Sequence, residues 1–177
     1  MFDPEGFVHF CQKARTARDA PAIIQAELLR IVAAPAEIAV PPTGDFRASR
    51  LHRSPTLTVL HTAYPPSTRT PPHNHGTWAV VSVYRGREDN VVYERAGRSL
   101  TATGRESLHA GEAVRLDPDA IHDLSTCADE PTCSIHVYGA DLYDSTNHSM
   151  WLPPLLEEEP YQEARFFRAA REMMRVV

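Results

Sequence analysis

The alternation of apolar and polar positions divides the chain into three zones. Over 4–38 the apolar residues recur every three or four positions: Phe7, Phe10 and Cys11, then Ile23, Ile24, Leu28, Leu29 and Ile31. That period predicts amphipathic helices. In RDAPAIIQAELLRIVAAP, Asp19 stands at an N-cap position with Pro21 just inside the helix, and Pro35, Pro41 and Pro42 close the zone. Over 46–140 the runs LTVLHTAY, TWAVVSVYRG, NVVYERAG, SLTATGRESLHAGEAVRL and CSIHVYG are rich in β-branched residues and punctuated by Gly, Pro, Asp and Asn. Short strands at this spacing predict an all-β barrel or sandwich, and no helix-length pattern lies between them to support a parallel sheet. Beyond 140, WLPPLLEEEPYQ reads as loop. YQEARFFRAAREMMRVV reads as a helix with Phe166, Phe167, Ala170, Met173 and Met174 as its buried stripe. That stripe is expected to pack on the barrel or on a partner rather than to bind a ligand.

The 177 residues fit one domain with a real core. The expected division is a helical segment over 1–45, a β-barrel over 46–145, and an extension with a helix over 146–177. An apolar content of 42 % excludes a disordered chain. The net charge of −5, with basic residues dispersed among acids, gives no reason to expect nucleic acid. No apolar run approaches the roughly 20 residues that span a bilayer. The start, MFDPEGFVHFCQKARTARDAP, lacks a signal-type apolar block. Cys11, Cys127 and Cys133 are odd in number and form no CxxC motif, which suits a reducing compartment. A cytoplasmic location is the expectation.

Candidate chemistry concentrates in TPPHNHGTW. In an extended strand His73 and His75 point the same way and can reach one metal ion. An isolated pair of this kind is as readily two surface histidines near a turn. Here Gly76, Thr77, Trp78 and an apolar run follow, so the imidazoles stand at the mouth of a core-forming element. The candidates for a third ligand are His109, His122 and His136, with His9, His52, His61 and His148 as outsiders. His122 opens a strand after an Asp-Pro turn, which mirrors the placement of the first pair, whereas His109 sits in a turn. Imidazole suits iron, zinc, copper or nickel. In CSIHVYG, Ser134, His136 and Tyr138 alternate onto one face, where a hydrogen-bonded chain is easily formed. Read without further context, the same triplet is a half-buried strand whose polar groups pair with one another.

With these motifs the sequence resembles the cupin superfamily, and within it the cysteine dioxygenase family of thiol dioxygenases. The resemblance covers about 40–145 and rests on His-x-His, the second-motif histidine, the Ser134, His136, Tyr138 triplet, and the upstream segment DFRASRLHR. It implies a double-stranded β-helix, or jelly-roll barrel, with flanking N-terminal helices and a C-terminal helix. It implies Fe(II) held by His73, His75 and His122, with nickel or another divalent metal as an alternative occupant. Ser134, His136 and Tyr138 match the family's outer triad, and Arg50, then Arg47, its carboxylate-binding arginine. No carboxylate follows the second histidine, where the chain reads Trp78, Ala79, Val80, so the ligand set looks like three neutral imidazoles. The cysteine that animal members cross-link to their tyrosine is missing from 76–81, so Tyr138 is expected unmodified. Ala120 also stands where many cupins carry Gly.

The implied reaction is addition of both atoms of O₂ to the sulfur of a small thiol acid, of the cysteine or 3-mercaptopropionate type, giving a sulfinate. The expected partners are that thiol acid and O₂, with no nucleic acid and no membrane. Two other readings remain open: a three-histidine cupin oxygenase with other chemistry, such as C–C cleavage or atypical cysteine oxidation, and a non-catalytic metal-binding cupin.

Overall fold

The computed structural model describes residues 1–39, 47–97, 99–144 and 146–175. Two helices open the chain, α1 (Pro4–Ala14) and α2 (Ala20–Val32). The Asp19 carboxylate accepts from the Ala22 N–H at 3.4 Å, capping α2 as its sequence predicts. Ala20, Ile24, Leu28 and Val32 stand four apart and form the buried stripe. Ile23 and Leu29 lie about 100° to either side of that line. They are each 41 % exposed, so the stripe is narrower than the run of apolar residues.

The larger sheet is antiparallel, in the order β1 (Arg47–Ser54), β2 (Leu57–Tyr64), β8 (Thr132–Tyr138), β3 (Ala79–Arg85), β6 (Ala113–Leu116). The smaller has the order β5 (Ser99–His109), β4 (Arg87–Ala96), β7 (Ile121–Thr126), also antiparallel. Every residue of β8 is buried because both of its faces are covered. Cys133, Ile135 and Val137 join Val59 and Val80 in a core with Phe7, Cys11, Ile24 and Leu28 of the helices. Ser134, His136 and Tyr138 take the opposite face. There Leu60 and Val81 of the larger sheet and Glu88 and Leu124 of the smaller line one cavity, so the sheets face each other across it. The architecture is an all-β double-stranded β-helix with flanking helices.

Three local differences from the sequence reading have physical causes. His73 and His75 lie in an extended segment before β3 rather than inside a strand, because only single bridges form there. The region read as loop pairs briefly, as β9 (Ser149–Trp151) with β10 (Glu158–Pro160). In α3 (Glu163–Met174) Phe166 and Ala170 are buried, while Met173 and Met174 are half-buried near the helix end. Gly139 is required by close approach: its N–H donates to the Trp78 carbonyl at 3.1 Å, and a β-carbon there would overlap the Trp78 indole.

Leu28 is fully buried between α2 and the sheet. Leu28→Ala is expected to lower unfolding free energy by about 2–5 kcal/mol, read from the urea midpoint.

Candidate metal centre

Backbone pairing places the histidines. His73 and His122 exchange two hydrogen bonds, N–H to carbonyl at 2.9 Å and 3.0 Å. This antiparallel bridge makes them cross-strand neighbours, with ring centroids 4.7 Å apart. Thr70 extends the pairing, its N–H donating to Leu124 O at 2.9 Å while its hydroxyl accepts from Leu124 N–H at 3.0 Å. On its other side the segment meets β9. The Asn74 side-chain oxygen accepts from Ser149 N–H at 2.7 Å, and Asn74 N–H donates to Ser149 O at 3.2 Å. Asn74, between the two histidines, thus ties them to the C-terminal region. His75 follows two residues after His73 and stands 5.2 Å from the His122 ring.

One nitrogen from each of His73, His75 and His122 lies within 4.8 Å of the others. Their partners settle two tautomers. His122 Nδ1 is 2.7 Å from the Asn90 side-chain oxygen and His73 Nδ1 is 3.1 Å from Pro71 O. Both partners only accept, so each Nδ1 carries the hydrogen and each Nε2 keeps its lone pair. His122 Nε2 and His75 Nδ1 are buried without a hydrogen-bond partner among the described residues. Burial holds all three imidazoles neutral, with His122 lowered to about 4 and His73 and His75 well below their ordinary value. Unprotonated, convergent imidazoles, two of them with an unpartnered nitrogen among the described residues, fit a borderline divalent ion, and Asn90 orients one of them from behind.

Beside this cluster runs a hydrogen-bonded chain. Ser134 Oγ is 2.8 Å from His136 Nε2, and His136 Nδ1 is 2.9 Å from the Tyr138 hydroxyl. The Tyr138 ring lies 5.0 Å from that of His75. Burial pushes the Tyr138 phenol well above its ordinary pKa. The cavity holds about 150 Å³ and is lined by the three histidines, Tyr138, Leu60 and Arg50, among others. The Arg50 guanidinium lies 4.7 Å over the Tyr143 ring. Its neighbour Arg53 is instead tied to Asp141 at 2.8 Å. Arg47 begins β1, but its side chain lies outside the described residues.

The structure brings together six residues singled out in the sequence, His73, His75, His122, Ser134, His136 and Tyr138, and sets Arg50 at the rim. His148, an outsider among the third-ligand candidates, stays outside the three-histidine group but belongs to the cavity wall. His148 is 3 % exposed, lines the cavity, stacks on Tyr161 at 3.7 Å, and keeps Nε2 unpartnered while Nδ1 donates to Leu142 O at 2.8 Å. His61 lies on the helix side of the sheet, 2.7 Å from the Tyr84 hydroxyl, and His9 and His109 are exposed. The stripe of α3, expected only to pack, also lines the cavity: Phe166 stands edge-on to His73 at 4.9 Å. Sequence reasoning missed Glu88 and Asn90. The alternation of β4 from Glu88 to Asn90 was the available signal, and the charged run REDN hid it.

No family model matches the sequence. Solved structures resemble it at low identity. A protein with a double-stranded β-helix domain from Klebsiella pneumoniae is 18 % identical, with 60 % of this chain and 82 % of that one covered at a TM-score of 0.45. A cupin superfamily protein from Desulfitobacterium hafniense is 7 % identical, covering 60 % and 87 % at 0.47. The DMSP lyase DddQ from Ruegeria pomeroyi is 17 % identical, covering 60 % of this chain and 52 % of that one at 0.45. No helix is long and apolar enough to cross a membrane among the described residues.

Asn90→Ala removes the acceptor that orients His122 and is expected to weaken metal affinity about 10–100-fold, measured by chelator competition. The pH dependence follows from burial. His61, His122 and His148 are each lowered to about 4, chiefly by desolvation. In the unfolded chain they titrate at about 6.5. Between those values the unfolded state binds more protons, so the metal-free protein loses stability as pH falls through that window. The urea midpoint is expected to be lower at pH 5 than at pH 7.5.

Proposed function

We propose that the protein is an Fe(II)-dependent thiol dioxygenase acting on a small thiol acid. The reaction is RSH + O₂ → RSO₂H: two S–O bonds form, the O–O bond breaks, and sulfur supplies the four electrons. The observation that carries this reading is the Ser134, His136, Tyr138 chain ending beside His75, one of three imidazoles in a carboxylate-free cluster. Iron held by His73, His75 and His122 would supply thiol activation and the reaction with O₂.

The chain's own residues do the rest. Three neutral ligands place no anion directly on a divalent ion, which favours an anionic sulfur. Arg50 has no carboxylate in salt-bridge range among the described residues, and from its place against Tyr143 at the cavity it can meet a substrate carboxylate. His136 holds the Tyr138 phenol against the reacting space. Leu60, Leu142 and Phe166 give that space apolar walls, which limits water. The cavity of about 150 Å³ suits a substrate of few heavy atoms.

The test is oxygen uptake by iron-loaded protein with cysteine, 3-mercaptopropionate, other small thiols and acetylacetone, with product masses. Uptake with a thiol and a mass gain of two oxygen atoms is the expected result. Uptake with the diketone alone would move the assignment to C–C cleavage, and none at all to a metal-binding role. Arg50→Ala is expected to raise KM for the thiol acid about 10–100-fold, the loss of one charge-assisted contact, with kcat less affected.

A further inference from the structure

Glu88 is 2 % exposed inside the barrel, and no lysine or arginine pairs with it among the described residues. Its polar neighbours are the Ser134 hydroxyl at 2.7 Å and His136 Nε2 at 3.5 Å. A buried carboxylate so placed constrains every hydrogen in the chain beside it.

A carboxylate oxygen only accepts, so Ser134 gives its single hydroxyl hydrogen to Glu88. Ser134 Oγ then has only lone pairs for its other neighbours, Thr62 Oγ1 at 2.6 Å and His136 Nε2 at 2.8 Å. Both must donate. With the hydrogen on Nε2, neutral His136 has a bare Nδ1, which accepts from the Tyr138 hydroxyl at 2.9 Å. Tyr138 has then spent its one hydrogen, and its oxygen meets the cavity with lone pairs. Without the carboxylate, the chain can run in reverse. Ser134 then donates to Nε2, Nδ1–H donates to Tyr138, and the phenol hydrogen is free to point at a ligand.

We propose that Glu88 is a positioning residue that sets the direction of the Thr62, Ser134, His136, Tyr138 chain, so that Tyr138 offers the cavity an acceptor rather than a donor. A ligand beside His75 is therefore read at Tyr138 for an N–H or O–H hydrogen it can give, while its carboxylate is left to Arg50. The role left to Arg50 rests on the proposed function, while the direction set by Glu88 does not depend on the reaction.

The test is the tautomer of His136, read from two-bond ¹H–¹⁵N correlations of the imidazoles in metal-free and zinc-loaded protein at neutral pH. The expected result is hydrogen on Nε2 and a bare Nδ1. Glu88→Leu keeps an apolar side chain of similar size in the barrel and is expected to move the hydrogen to Nδ1. Thr62→Val removes a donor but not the acceptor and is expected to leave the tautomer as it is. Wild-type His136 protonated at Nδ1, or at both nitrogens, overturns the proposal. So does an unchanged tautomer in folded Glu88→Leu protein, or a switched one in Thr62→Val. If Leu at 88 prevents folding, the wild-type and Thr62→Val spectra decide. The readout is independent of turnover, so failure of the dioxygenase assignment leaves it intact.

Discussion

The paired backbone hydrogen bonds between His73 and His122 are the contact on which the site depends. They join a segment without regular strand structure to β7, and with it to the smaller sheet. A bridge of this kind fixes both side chains on one face at short range, which no loop closure across the intervening residues 74–121 would do unaided. His75 is carried to the cluster with this segment, which Gly76 N–H also ties to Pro118 O at 3.0 Å. Asn74 has its outward amide free to hold β9, so one short segment is clamped between two partners. Rigid support from both sides is what a preorganised ligand set requires.

A barrel lined with imidazoles, phenols and a carboxylate is expensive to bury. Two devices offset that cost. The first is satisfaction: Glu88, Ser134, His136 and Tyr138 bond to one another, and Asn90 serves His122. The second is separation. The apolar core that stabilises the domain lies on the other side of the larger sheet, under α1 and α2, where Ile24, Leu28, Ile135 and Val137 exclude water completely. The interior can remain polar because it is not the main source of stability. The atoms left without partners, on His75, His122 and His148, border the cavity itself.

Much of this was legible in the sequence because it is written in local period. The helical stripe, the alternating strands, His-x-His and Ser134, His136, Tyr138 each lie within a few residues of chain. The position of His122 before a strand was readable for the same reason. The rest is set by contacts with no local trace. Asn74 finds Ser149 across 75 positions, and Ser134 finds Glu88 across 46. Glu88 and Asn90 sit in a run of charge that reads as surface, and His148 lies in a stretch without any period. Only closure of the barrel turns them inward.

The seven residues of β8 answer to two demands at once. Cys133, Ile135 and Val137 hold the helices, while Ser134, His136 and Tyr138 carry the hydrogen-bonded chain. Thr132 is also buried, its hydroxyl bonded to Arg87 O at 3.0 Å. No position in the strand is left to vary without consequence. β5, by contrast, is exposed at nearly every residue. Neutral drift in such a protein is therefore channelled: one strand can change its letters almost freely, while the other can change only through compensating pairs.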